Sequence, residues 1–216
     1  MLPYVHFMRT IDQSLGKVDK SSFSQLTLME ILVKNIQNTV RIVENPEDSS
    51  DLTEWLGVKL NADLDVYSID WTMYGLDGTI DLRWVPLATR ILILQFNNLF
   101  GSIDTESLPA SLREMHLPDN NFNGEIDCRQ FPESLVHIDL ANNRLTGQLP
   151  LESLPHRLRV LYLHQNLFSG AVDLTRLPLS IKKLAICVNL LDGLLDLTQL
   201  PEGIEELYLQ ENDFVG

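Results

Sequence analysis

The chain has 216 residues, 44% of them hydrophobic, enough to supply a continuous core and to exclude disorder as its default state. Thirty acidic against 16 basic residues give a formal charge of −14, a field that repels phosphate backbones and anionic lipid and excludes nucleic acid as a partner of the whole chain. The longest apolar run, 184–188, is far short of the ~20 residues a membrane span needs, and MLPYVHFM lacks both a basic n-region and a long h-region, so no anchor or signal peptide is read.

Residues 1–20 carry no clear pattern. Leu26, Met29, Leu32, Val33, Ile36 and Val40 then recur at helical spacing, with Ser24 as N-cap, and predict a helix over 24–44. Residues 45–51, NPEDSSD, read as an acidic, turn-rich linker. Trp55-Leu56-Gly57-Val58 and Val66-Tyr67-Ser68-Ile69 follow, and residues 1–65 as a whole form a non-repeating, helical N-terminal cap region.

Residues 66–216 repeat. Gly78, Gly101, Gly124, Gly147, Gly170, Gly193 and Gly216 are 23 residues apart each time, seven of the chain's 11 glycines in one phase. Eight after each comes a proline, from Pro86 to Pro201. Four before it stand Asn97, Asn120, Asn143, Asn166, Asn189 and Asn212, with Tyr74 the one departure. Apolar columns keep step nine and seven before the glycine, as in Leu92 and Leu94, Ile138 and Leu140, or Leu161 and Leu163.

Each unit thus reads L-x-x-L-x-L-x-x-N-x-F-x-G-x-I-D-L-x-x-L-P-x-S, which resembles the leucine-rich repeat. The G-x-I step is similar to the plant-type subclass, and Pro150 in LTGQLP keeps that subclass's L-x-G-x-I-P form. Asp81, Asp104, Asp127, Asp173 and Asp196 in place of the proline, with the following L-P-x-S, resemble the arrays of kinetoplastid protozoa. The W-x-G-V segment at Trp55 is similar to the one that opens such arrays, with Leu60 where they often carry a cysteine. The resemblance implies an α/β-type repeat solenoid, a right-handed superhelix with a parallel concave β-sheet behind a helical N-terminal cap. About six and a half units are present, Gly216 stopping inside the seventh, and the array is expected to continue or to fray there.

Physical chemistry assigns each column a task. The L-x-L step is a strand with leucines inward and the intervening residues outward. The Asn side chain bonds backbone of its own turn and of the next unit. Ile103-Asp104 and Val172-Asp173-Leu174 read as a second, convex-side strand, with the Asp column closing local turns. Cys128 reads as a buried small hydrophobe and Cys187 as a free thiol on the opposite side.

The outward columns hold the candidate site. One runs Asp70, Ile93, His116, Asp139, Tyr162, Ala185, Tyr208; its neighbour runs Ser68, Ile91, Glu114, His137, Val160, Lys183, Glu206. His164 lies close by, and Arg90, Arg113 and Arg159 with Lys182 and Lys183 form a basic stripe at the edge. The binding residues expected are Arg90, Arg113, His116, His137, Asp139, Arg159, Tyr162, His164, Lys183 and Tyr208, with Phe96 as a further aromatic anchor. No nucleophile with an ordered base accompanies them and no zinc-ligand spacing occurs, so neither catalysis, metal nor cofactor is read. His116 beside Asp139 and His137 beside Glu114 are expected to titrate above ~6.5.

The expectation is a non-enzymatic module that binds a protein partner, acidic or of mixed charge, on its concave face. Two alternatives are a ligand-binding ectodomain of a surface receptor or antigen, and the substrate-recognition part of a larger enzyme. A cytoplasmic home is slightly favoured, with the cell surface open if the chain is a fragment.

Overall fold

The computed structural model describes residues 19–43 and 51–215. The patternless start up to residue 18, the last residue of the expected helix, Glu44, all of the 45–51 linker but Asp51, and Gly216 lie outside those residues. Fifteen strands among them form two sheets, alternating between them from β2 onward. The first sheet holds β1 (Val58–Leu60), β2 (Val66–Asp70), β4 (Ile91–Ile93), β6 (Glu114–His116), β8 (His137–Asp139), β10 (Val160–Tyr162), β12 (Lys183–Ala185) and β14 (Glu206–Tyr208). From β2 onward every neighbour is parallel and in register at a 23-residue offset, Leu92 beside Met115 and Met115 beside Ile138. Their central residues point inward and are fully buried from Ile69 to Leu184, because a strand sends alternate side chains to opposite faces. This is the concave sheet of a leucine-rich-repeat solenoid.

The second sheet follows the Asn column: β3 (Asp77–Thr79), β5 (Asn98–Gly101), β7 (Asn121–Glu125), β9 (Arg144–Gly147), β11 (Leu167–Ala171), β13 (Leu190–Leu194) and β15 (Asp213–Val215). It lies earlier in each unit than expected. Ile103-Asp104 and Val172-Asp173-Leu174 are not strands. There the carboxylates of Asp81, Asp104, Asp127, Asp173 and Asp196 accept the backbone N–H two residues on, at 2.8–3.2 Å. That bond closes an Asx turn, which competes with strand pairing. At Asp81 and Asp127 it caps three-residue 3-10 turns, Leu82–Trp84 and Cys128–Gln130. Cys128 is fully buried in the second of these, and burial pushes its thiol up to about 12.

The Asn column stitches the turns together. Asn143 Oδ1 accepts from Phe122 N at 3.0 Å, and its Nδ2 donates to the carbonyls of Leu117, Leu140 and Ala141. Phe122 and Leu117 belong to the preceding unit, so each Asn reaches back rather than forward. Asn97, Asn120, Asn166, Asn189 and Asn212 bond the same way. Serines of the L-P-x-S step add a second tie: Ser111, Ser134 and Ser180 donate to carbonyls about one unit upstream at 2.5–2.7 Å.

The helix is shorter than its apolar spacing suggests. α1 spans Gln25–Val33, and Ser24 Oγ accepts from Thr27 N at its start. It ends because Ile36 leaves to bridge Gly78 antiparallel and Gln37 N donates to Asp77 O at 2.8 Å, closing the free edge of the second sheet. Gly78 has φ +116°, and a Cβ there would lie 2.2 Å from Asn35 O. Val40, expected on the helix's apolar face, is exposed in the middle of a 3-10 turn at Thr39–Arg41. β1 pairs antiparallel with β2 and joins the cap to the concave sheet, over a core that runs unbroken from Met29 to Leu191.

Candidate functional site

The register of the concave strands brings five of the ten expected binding residues together at the centre. Glu114 lies beside His137, and His116 beside Asp139. Asp139 in turn lies beside Tyr162, and His164 follows Tyr162 by two residues. Their rings form a run across three strands: His116 to His137 with centroids 4.2 Å apart, His137 to Tyr162 at 6.0 Å, and Tyr162 to His164 at 6.0 Å, all edge-to-face. Such contacts favour a rigid, partly apolar platform.

The charges in this run differ from the sequence expectation. The Glu114 carboxylate lies 3.7 Å from His116 Nε2 on its own strand, not against His137. His137 Nε2 and His164 Nδ1 are buried, and neither has a hydrogen-bond partner among the described residues. Burial first, then the positive charge of His116 and Lys183, hold the His137 imidazole down at about 4. Its expected upward shift is therefore reversed, because desolvation outweighs a carboxylate that has turned elsewhere. Burial also raises the Asp139 carboxyl, whose Oδ1 accepts from Ala141 N at 3.1 Å.

The other expected residues are spread along the sheet. Lys183 Nζ donates to Glu206 Oε1 on the next strand, a bond that raises the lysine's pKa. Tyr208 is exposed beyond it on β14. Arg90 lies at the other end with its guanidinium 5.7 Å above the Tyr67 ring, a cation–π stack. Lys182 sits 3.5 Å from Glu205. Arg113 and Arg159, at the entrances of β6 and β10, are exposed, and among the described residues neither guanidinium has an ion-pair partner.

Two elements escaped the sequence reading. Tyr67, in phase with the arginine stripe, packs under Arg90. Met73, 23 residues before Phe96, matches it in structure: both have left-handed backbone, φ 59° and 58°, and both are exposed, 66% and 47%. The 23-residue phase alone carried that signal. Among the described residues no group of three or more His, Cys, Asp or Glu is arranged to hold a metal ion, and no helix is long and apolar enough to cross a membrane.

A family model described as Leucine Rich Repeat matches residues 134–154. Among curated proteins, none matches this chain. Solved structures share the fold. One is the Arabidopsis receptor kinase HAESA in complex with the peptide hormone IDA and the co-receptor SERK1: TM-score 0.75, 22% identity, 86% of this chain and 33% of that one. The PEPR1–AtPEP1 structure gives 0.72 at 24% identity, covering 89% of this chain and 28% of that one. Pollen Receptor Kinase 3 gives 0.72 at 25% identity, covering 89% of this chain and 96% of that one. The chain spans about a third or less of the length of the first two.

Proposed function

We propose that this chain, a leucine-rich-repeat protein, is a non-enzymatic binding module that holds a protein partner across its concave strands. The observation that carries this reading is the ring run from His116 to His164, a preformed surface across neighbouring strands and flanked by Arg113 and Arg159, which have no ion-pair partner among the described residues. Aromatic side chains and arginines are the residues that most often anchor protein interfaces, and a rigid sheet loses little conformational entropy on binding. The arginines of the convex Asx turns, Arg83, Arg129 and Arg176, are by contrast paired with Asp81, Asp127 and Asp173.

The partner is acidic or of mixed charge, since the basic rim is the local exception on a chain of formal charge −14. The fold's likeness to receptor-kinase structures solved with a peptide hormone supports a protein or peptide as ligand. It also supports a second reading, that the module is the ligand-binding part of a surface receptor. The test is a surface scan against a captured partner. Tyr162→Ala and Arg159→Glu are each expected to weaken binding about tenfold or more, and the convex change Glu152→Lys to leave it unchanged. Equal loss from both faces would argue against the concave site.

A further inference from the structure

Resting on the concave reading above, we infer that the partner presents a polyproline-II-like segment of the form Φ-x-Asp-x-x-Asp, Φ being a bulky apolar residue. The apolar residue seats on the first two turns at Ile93, Phe96 and Met73, and the two carboxylates reach Arg113 and Arg159.

Two separate observations lead there. The first is an apolar patch with no cover among the described residues. Met73 and Phe96 project from left-handed backbone and are 66% and 47% exposed. The same left-handed loop position recurs in every unit and holds Asp119, Asn142, Gln165, Val188 and Glu211 further on, so the backbone belongs to the repeat and only the two exposed large side chains belong to the first two turns. Two large apolar side chains in neighbouring turns, both held in solvent, point to an occupant. Ile93, facing outward on β4 between Asp70 and His116, extends the patch onto the sheet.

The second is the state of the basic rim. Of the four basic residues in its column, Arg90 is stacked on Tyr67 and Lys182 is paired with Glu205, whereas Arg113 and Arg159 have no ion-pair partner among the described residues. Val136 occupies the unit between them. Two strand spacings of ~4.8 Å separate the two arginines along the solenoid, ~9.6 Å. One turn of polyproline II is three residues at ~3.1 Å, ~9.3 Å, and returns a side chain to the same face. Carboxylates at i and i+3 therefore meet both arginines. A residue two positions earlier lies on a different face, one strand nearer the first turn, where the apolar patch is.

The probe is an acetylated, amidated, fluorescein-labelled peptide with the core Leu-Pro-Asp-Pro-Pro-Asp, titrated against the full chain by anisotropy. Saturable binding is expected, weakened about tenfold or more by Asp-to-Asn changes, by Leu-to-Ser, or by one extra proline between the aspartates. On the protein, Arg159→Glu and Phe96→Ser are expected to do the same with melting temperature unchanged. A peptide with Lys for its second Asp is expected to recover binding to Arg159→Glu. No binding up to ~1 mM, or indifference to the aspartate spacing or to Arg159→Glu, overturns the inference. A benzophenone at the Leu position separates the two levels of the argument. Adducts at 91–96 or Met73 support both. Adducts on β12 or β14 overturn the segment assignment and leave the concave reading standing, and adducts at 151–153 overturn both.

Discussion

The middle of the array and its first turn solve one problem by different means. From Asn97 to Asn212 each turn is tied to the one before by an asparagine that accepts one backbone N–H and donates to carbonyls on both sides. In the first turn the column holds Tyr74, and non-repeating residues do the work. Asn38 Nδ2 donates to Gly75 O at 2.9 Å, Gln37 N to Asp77 O at 2.8 Å, and Gln25 Oε1 accepts from Val66 N at 2.6 Å. A repeat unit can rely on its neighbour, whereas an end unit needs parts made for it. The stability of the middle is thus distributed, and that of the first turn rests on a few contacts.

The comparison is broken most severely at Gly78. Gly78→Ala places a Cβ against Asn35 O at positive φ and is expected to cost about 3 kcal/mol or more, releasing the cap from the second sheet. Gly101→Ala, also at positive φ but 3.4 Å from the flexible Thr79 Cγ2, is expected to cost about 1–2 kcal/mol. Chemical denaturation of the two variants should keep that order; equal losses would erase the distinction between cap and middle.

Asn143→Ala comes next, at about 1–3 kcal/mol, since it strands Phe122 N and three carbonyls. Asn143→Asp should also lose stability, having no amide donor. Gln25→Ala removes the corresponding first-turn bonds to Val66 N and Asp65 and is expected to cost about 1–2 kcal/mol. Unchanged melting in both Asn143 variants would remove the ladder from the account. Ser134→Ala, which loses one bond to Leu112 O, should cost about 1 kcal/mol.

The smallest effect is a pH response at the site. His137 is held at about 4 in the fold, below the ~6.5 of a free imidazole. The unfolded chain takes the proton that native His137 refuses, so this stability is fully present above ~6.5 and is lost as pH falls toward 4. The ring is partly open to solvent, whose screening reduces the effect to about 1 kcal/mol. The lowered Asp81 carboxyl acts in the same sense at lower pH, and the raised Asp139 opposes it. Denaturation of His137→Asn at pH 7 and pH 5 should show a flatter pH dependence than the parent; an unchanged slope would acquit His137.

Much of this was legible from the 23-residue phase. The phase located the parallel strands of the concave sheet from β2 to β14, though not β1, and set Glu114 beside His137 and His116 beside Asp139. What it could not reveal is what repetition leaves undetermined. The second strand was misplaced because Ile-Asp-Leu looks extended until the Asp side chain turns onto its own backbone. The helix was drawn too long because Ile36 and Val40 fit the helical period, although Ile36 is claimed by Gly78. The histidine shift was misjudged because column adjacency fixes where a Cβ stands, not which way a carboxylate swings, and Glu114 turned to His116.

The central claim, that the concave face is the binding surface, is tested most directly by hydrogen exchange with and without partner. Slower exchange is expected in 114–116, 137–139 and 160–162, with 128–130 and 151–153 unchanged. Protection of those convex turns with the three strands unaffected would contradict it.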